Sequence, residues 1–291
     1  MIERGTVIAE RYVVEDTLGE GGMGVVYAAR RIADGLEVAI KVMLPEIAAH
    51  PEMRRRFLRE ATALSTLSHP QIIGVLEFGV LGDTVFLVME RLRGRSLASY
   101  IEDTDITPDI ALAIADQMLA GLAFAHAHGV LHRDVKPDNM FVVELPGGAR
   151  VLKLLDFGLV KFVDREAWSD SSTLTAQGAI LGSPPYMSPE QIFGQTVDAR
   201  TDVYAAGVVL FELLTGSWPF MAEEVSDLFR AHALDPVPPV SSARPALRVV
   251  PELDAIIARA MDKTQGRRFA DAREMRAAMA KLPKPAAWLI G

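Results

Sequence analysis

The sequence predicts an α+β protein in two unequal parts, a small sheet-rich part carrying one helix and a larger, mainly helical part. Three observations carry the prediction. Short β-branched or aromatic runs separated by turn signals fill the chain up to Leu92, and apolar residues at helical spacing take over beyond it. A length of 291 residues, against a typical domain of about 150, also suggests two bodies.

In chain order, the first strands are Val25-Val26-Tyr27 and Val38-Ala39-Ile40, parted by the turn signal Ala33-Asp34-Gly35. A helix follows over Glu52 to Leu67, with Pro51 at its start and Phe57, Ala61 and Leu64 on one face. Val85-Phe86-Leu87-Val88 returns to strand after Gly82-Asp83. Thr107-Pro108-Asp109 reads as an N-cap, a first-turn proline and an acidic residue favoured by the helix dipole. Leu112, Ala115, Leu119 and Leu122 then mark a buried face. Leu253, Ile256, Ile257, Ala260 and Met261 follow the i, i+3, i+4, i+7, i+8 pattern of a helix packed on one side. The most apolar stretch, Ile110 to Leu131, is interrupted by Asp116, Gln117, His126 and His128, so it reads as a core helix rather than a membrane span.

Composition narrows the function. Half of the residues are hydrophobic and 23% are charged, which supports a packed core. With 30 basic and 38 acidic residues the net charge is −8, which argues against nucleic acid or an anionic membrane surface as a partner. The absence of cysteine excludes disulfides, thiolate zinc sites and a cysteine nucleophile, and it fits a reducing, cytoplasmic setting. The first residues, Met1-Ile2-Glu3-Arg4-Gly5, lack the basic-then-apolar pattern of a signal peptide.

Gly19, Gly21 and Gly24 form G-x-G-x-x-G, a spacing that brings backbone amides close to phosphate oxygens. Alone it also fits an ordinary glycine-rich turn. A dinucleotide site would need a helix directly after the glycines, and Val25-Val26-Tyr27 continues as strand. No Gly-Lys pair is present for a Walker A loop. A strand–turn–strand flap over a nucleotide remains. Lys41, ending the next strand, is suited to the α- and β-phosphates. Glu60 is the best placed carboxylate to orient it, while Glu46 and Glu52 sit nearer helix starts, where they complement the dipole.

The densest chemistry lies in His132-Arg133-Asp134-Val135-Lys136-Pro137-Asp138-Asn139 and Asp156-Phe157-Gly158. Asn139 and Asp156 offer the hard oxygens that Mg²⁺ takes together with substrate phosphates. Asp134 can orient an attacking hydroxyl and take its proton, and Lys136 can neutralise charge on the transferred group. Either motif alone also fits a polar turn with capping aspartates, but their joint occurrence in this order points to a Mg-nucleotide site.

With these motifs in hand, the sequence resembles a eukaryotic-type (Hanks-type) serine/threonine protein kinase domain of the bacterial branch, from about Tyr12 to about Leu282. Gly21-Gly22-Met23-Gly24-Val25-Val26-Tyr27 and Tyr186-Met187-Ser188-Pro189-Glu190-Gln191 carry the bacterial wording. The resemblance implies a bilobal protein-kinase-like fold: a small antiparallel lobe over 1–89, a hinge over 90–93, a large lobe over 94–282 and a tail over 283–291. It implies ATP with Mg²⁺, or Mn²⁺ in its place, and protein serine and threonine hydroxyls as acceptors. Asp134 would be the catalytic base supported by Lys136, Lys41 and Glu60 an ion pair, and Asn139 and Asp156 the metal ligands. The nucleotide would lie against Leu18, Gly19, Glu20, Gly21, Gly22, Met23, Gly24, Val25, Val26, Ala39 and Lys41, with Met89 as gatekeeper and Glu90 and Leu92 meeting adenine.

By the same resemblance, Leu64, Leu76, His132 and Phe157 would form a hydrophobic stack, Asp202 would anchor the catalytic loop, and Arg268 would pair with Glu190. Arg133 marks regulation by phosphorylation of the loop over 159–181, where Ser169, Ser171, Ser172, Thr173 and Thr175 are candidate acceptors and Thr175 and Thr173 lead. Ser183 replaces the commoner threonine of the family's Gly-Thr-x-x-Tyr loop. His126 and His128 are expected to be structural, because they point to different helix faces. A scaffold without activity would show damage at Lys41, Asp134 or Asp156, and a small-molecule phosphotransferase would lack the Tyr186-to-Glu190 platform; neither holds. The resemblance also allows a homodimer through the small lobe. The motifs use nearly the whole chain, so a sensor, or a link to the cytoplasmic face of a membrane, is expected only if the natural protein continues past Gly291.

Overall fold

The computed structural model describes residues 2–283 apart from 23, 83, 146, 158–182 and 248. Met23, Gly158, Ser169, Ser171, Ser172, Thr173 and Thr175 therefore lie outside the described residues. The chain divides into two compact units, Met1–Gly94 and Arg95–Gly291.

The small unit is one six-stranded antiparallel sheet with two helices. Its strands are β1 (Val7–Ile8), β2 (Tyr12–Gly21), β3 (Gly24–Arg31), β4 (Glu37–Met43), β5 (Val75–Leu81) and β6 (Thr84–Glu90), in the order β1-β2-β3-β4-β6-β5. Alternation decides which face is buried. Tyr12, Val14, Val25, Tyr27, Val38, Ile40, Phe86 and Val88 form one core cluster, all 8% exposed or less. Between β4 and β5 run α1 (Pro45–Ala48) and α2 (Pro51–Ser65). Pro51 occupies the first turn of α2, where its missing N–H costs nothing, and Phe57, Ala61 and Leu64 are buried as the spacing predicts.

Leu76 is 47% exposed, because β5 bulges between Val75, opposite Met89, and Glu77, opposite Val88. The extra residue shifts the alternation, which leaves Leu76 exposed at the bulge. Glu77 is brought instead under Tyr12, whose hydroxyl donates to it at 2.7 Å.

The large unit opens with β7 (Gly94–Ser96), which joins β8 (Met140–Glu144) and β9 (Arg150–Leu154) in a three-stranded sheet. Helices α3 (Leu97–Asp103) and α4 (Pro108–Ala127) precede β8; α5 (Pro189–Ile192), α6 (Ala199–Thr215), α7 (Val225–Leu234), α8 (Val240–Ala243), α9 (Pro251–Ala260) and α10 (Ala272–Met279) follow β9. The Thr107 side chain caps α4, accepting from the Ile110 amide at 3.4 Å. By length and composition α4 is apolar enough to cross a membrane, but Ala111, Ala115, Met118, Leu119, Leu122 and Ala125 are fully buried against neighbouring elements that include α6 and α10. Helix α6 runs through the core, fully buried at Tyr204, Val208 and Phe211. A Cβ at Gly207 would come within 2.9 Å of Met261 and 3.0 Å of Ala260, so glycine lets α6 approach the end of α9 closely.

Candidate active site

In the small unit, strand register sorts the predicted nucleotide residues onto one face. Val26 pairs with Lys41 and Ala28 with Ala39, while Lys41 pairs with Leu87 and Ala39 with Met89. Residues directly opposite in an antiparallel ladder project to the same side, so Val26, Ala39, Lys41, Leu87 and Met89 share the face opposite the aromatic cluster. Val25 lies on the other side, in the core, so its contribution is to packing. Leu87 was not predicted as a site residue, although its position two residues before Met89 is the signal that places it on this face.

The flap is the end of β2 and the start of β3, closed by the pair Gly21 and Gly24. Register shifts at Val14/Asp16 and Thr17/Gly19 bend β2, and Leu18 and Glu20 are exposed along it. The glycines differ in what they permit. A Cβ on Gly19 or Gly22 would meet nothing within 4 Å and one on Gly21 would meet the Gly24 carbonyl at 3.8 Å, whereas a Cβ on Gly24 would fall 2.3 Å from the Val42 carbonyl oxygen. Gly24 is thus required by the approach of β4, and the others leave the flap open above the strand.

Glu60 falls on the stripe of α2 that contains Phe57, Ala61 and Leu64, the inward side of that helix. Lys41 and Glu60 are both engaged by neighbours. Glu90 is clamped twice to Gly74: its amide donates to the Gly74 carbonyl at 2.9 Å, and its Oε1 accepts from the Gly74 amide at 2.7 Å. Beyond it Arg93 pairs with Glu37 at 2.8 Å, and Leu92 lies on the non-strand segment between them.

The large unit assembles the catalytic segment. Asn139 Nδ2 donates to Asp134 Oδ2 at 2.6 Å and to the Asp134 carbonyl at 2.8 Å. Both partners are acceptors, which fixes the amide nitrogen on that side and turns Asn139 Oδ1 away from Asp134. Lys136 Nζ donates to Ser183 Oγ at 2.6 Å, so serine serves where the family commonly has threonine. Asp156 has φ 45° and Arg133 φ 64°, both in the left-handed region that side chains rarely adopt.

Buried charges hold this shape. Asp202, on α6, accepts the His132 amide at 2.8 Å and the Arg133 amide at 2.7 Å, anchoring the loop as the resemblance implied. Burial alone would raise the Asp202 pKa, but the His126 hydrogen bond and the His132 amide hold it below the usual carboxylate range. Gln191 Nε2 donates to the Arg133 carbonyl at 2.8 Å, so that residue's backbone is gripped on both sides. His132 is fully buried with its ring centroid 4.5 Å from that of Phe157, and burial pushes its pKa down, so it stays neutral.

The segment around Tyr186 is braced in the same way. Glu190 and Arg268 form a buried bidentate pair at 2.7 and 2.8 Å, with Thr201 donating to Glu190 at 2.7 Å. The Tyr186 hydroxyl donates to Glu212 at 2.7 Å and accepts from Trp218 Nε1 at 3.0 Å. Burial raises the Tyr186 pKa, which keeps that hydroxyl a donor.

Asn139 and Asp156 suit a hard divalent cation, which would complete its shell with water and phosphate. Among the described residues no cluster of three or more His, Asp or Glu forms a closed metal cage.

Comparisons with known proteins agree with this geometry. Residues 12–278 match the family described as Protein kinase domain. The chain is 36% identical over 282 residues to serine/threonine-protein kinase pkn3 of Myxococcus xanthus, covering 96% of this chain and 51% of the relative. It is 37% identical over 277 residues to serine/threonine-protein kinase PknB of Mycolicibacterium smegmatis, covering 93% and 42%. The chain therefore spans about half, or less, of the length of these curated relatives. Among solved structures, the Mycobacterium tuberculosis PknI kinase domain matches with a TM-score of 0.75 at 28% identity, covering 99% of this chain and all of that one. Motif order, the fold of each unit and the length of the match coincide, and the chain belongs to the protein kinase family.

Proposed function

We propose that this chain is an ATP-dependent protein serine/threonine kinase. The observation that carries the reading is the Asp134–Asn139 contact, which aims a carboxylate from a loop gripped by Asp202 and Gln191. The acceptor hydroxyl oxygen attacks the γ-phosphorus, the bond to the β–γ bridging oxygen breaks, and ADP departs. Asp134 receives the hydroxyl proton. Lys136 sits beside the transferred phosphoryl group and carries its positive charge there, oriented by Ser183.

Lys41 holds the α- and β-phosphates, oriented by Glu60, while the backbone of Leu18 to Gly24 covers them. Ala39, Val26 and Met89 offer the apolar surface for adenine, and Glu90 and Leu92 its backbone partners. Asn139 and Asp156 would hold Mg²⁺, or Mn²⁺ in its place, which when bound would neutralise charge on the phosphate oxygens. The braced Tyr186-to-Glu190 segment supports a protein acceptor rather than a small molecule.

Relatives named as serine/threonine-protein kinases support the acceptor class. Autophosphorylation of the 159–181 loop, whose phosphate pairs with the Arg133 guanidinium, association through the small unit, and a cytoplasmic setting belong to the same reading. The test is transfer from γ-labelled ATP to a generic basic protein, with Asp134→Asn alongside. A loss of ~100-fold or more in the variant is expected from removing a general base, and equal incorporation by both proteins would refute the assignment.

A further inference from the structure

His232 is a buried polar residue of the large unit that the phosphoryl-transfer chemistry leaves unused. It lies in the last turn of α7, fully buried, with its ring edge to face against Phe220 and its centroid 5.8 Å from that of Tyr204. Its backbone and one ring nitrogen are firmly held. Lys263 Nζ donates to the His232 carbonyl at 2.8 Å and to the Ala231 carbonyl at 3.2 Å, and the same ammonium sits 4.2 Å from the centre of the Phe220 ring. Nδ1 meets the Tyr204 hydroxyl at 2.8 Å. Nε2 closes no hydrogen bond among the described residues, and the Pro185 carbonyl faces it.

Lys263 also decides where the ring carries its proton. With the His232 carbonyl taken by the lysine and 3.4 Å from the tyrosine oxygen, the Tyr204 proton goes to the nearer Nδ1, and the one proton of a neutral imidazole then sits on Nε2. The opposite tautomer would set a ring lone pair against a carbonyl oxygen. Burial, with the Lys263 charge adding to it, keeps the ring neutral.

The carbonyl opposite is also left over by its own turn. Over Pro184–Tyr186 the Tyr186 amide donates to Ser183 at 3.0 Å and the Met187 amide to Pro184 at 3.3 Å, so both neighbouring carbonyls are used and that of Pro185 is not. This turn joins Ser183, which accepts from Lys136, to Tyr186, which Glu212 and Trp218 brace. A buried donor facing an unclaimed acceptor costs free energy that a small movement of the turn would recover.

We propose that His232 is a positioning residue for the protein acceptor: its Nε2–H, aimed by Tyr204 and Lys263, closes on the Pro185 carbonyl when an acceptor segment seats on the Pro184–Tyr186 turn. Seating thereby draws the turn onto α7, and Ser183 with it. The inference rests on the reading of the Tyr186-to-Glu190 segment as the support of a protein acceptor.

The experiment uses the full chain with γ-labelled ATP and the generic basic protein. His232→Phe keeps a ring and loses both nitrogens, whereas His232→Gln can accept from Tyr204 and donate to Pro185. His232→Phe should raise the KM for the basic protein ~5- to 30-fold, the factor that one buried hydrogen bond is worth, and leave the KM for ATP unchanged. His232→Gln should recover most of that loss. A wild-type KM for the basic protein in His232→Phe, or a loss shared equally by both variants and both substrates, would overturn the proposal. Independently of turnover, ¹H–¹⁵N NMR of the unmodified chain should find the His232 proton on Nε2 and shift it downfield as the basic protein is added to saturation. A proton on Nδ1, or an Nε2 resonance that the basic protein does not move, would overturn the proposal even if His232→Phe fails to fold. A wild-type chain that transfers nothing would refute the kinase reading instead, so the two failures are distinguishable.

Discussion

Asp202 Oδ1 accepts the Arg133 amide at 2.7 Å across 69 positions of sequence, and Arg133 stands at φ 64°. A left-handed conformation at a residue with a side chain costs ~1–2 kcal/mol, and it persists only where the surroundings enforce it. Asp202→Asn places an amide group where two backbone N–H groups and an imidazole require acceptors. The expected result is a loss of kcat of ~100-fold, the scale of a catalytic group misplaced by about 1 Å, with a lowered Tm. Steady-state kinetics and a thermal melt check both.

The buried Glu190–Arg268 pair gives a stability prediction. Both side chains are at most 2% exposed, and Arg268 also donates to the Asp262 and Arg200 carbonyls at 2.7 and 3.0 Å. Removing one partner of a buried pair costs ~3–5 kcal/mol, because the other charge is left uncompensated. Arg268→Met should therefore lower stability by about that amount, and Arg268→Lys should recover only part of it, since a lysine cannot form the planar fork. Urea unfolding with the Glu190→Gln/Arg268→Met double variant would separate the pair from its surroundings; additive losses would refute the coupling.

The flap glycines should separate by mechanism. Gly24→Ala would force a Cβ to 2.3 Å from the Val42 carbonyl, so β3 and β4 must part. A destabilisation of more than ~2 kcal/mol is expected, in the upper part of the ~1–3 kcal/mol that overpacking usually costs. Gly19→Ala meets nothing within 4 Å, and its effect should appear in the KM for ATP with little change in Tm. Equal loss of stability in the two variants would contradict the distinction.

Acid sensitivity should begin with a histidine rather than with the buried carboxylates. Burial pushes His232 down to about 3, with the Lys263 charge adding to the effect, and its Nδ1 meets the Tyr204 hydroxyl at 2.8 Å. A group whose pKa is lowered by folding contributes stability that is present above its unfolded value and lost as pH falls toward its folded value. The unfolded histidine titrates near 6.5, so stability should fall between about pH 6.5 and 3 with a slope approaching ~1.4 kcal/mol per pH unit. Asp202 and Glu190, both held below the ordinary carboxylate range, lose their contributions only at lower pH. His232→Gln cannot take up a proton and should flatten the dependence of Tm on pH, and an unchanged slope would rule out His232 as its origin.

What could be read in the sequence was whatever a short segment encodes alone. The glycine spacing, the strand that carries Lys41, the Asp134-to-Asn139 run and the Thr107 cap are local; that strand does not end at Lys41 as its pattern predicts but runs on to Met43. The stripe of α2 that carries Glu60 was legible for the same reason, since helical period is a property of consecutive residues.

Other features follow from residues far apart in sequence. The bulge that leaves Leu76 exposed depends on the partner strand β6, and composition alone offered no warning of it. Gly24 reads as one more phosphate glycine until the Val42 carbonyl is placed beside it. His126 reads as a core histidine until Asp202 and Ala272 close on its two nitrogens, across 76 and 146 positions. The sequence by itself determined the kind of chemistry and the elements that carry it, because propensity and periodicity act over a few residues. Tertiary structure alone decided which backbone is gripped and which glycine is indispensable, because buried hydrogen bonds and close packing join segments that the chain keeps apart.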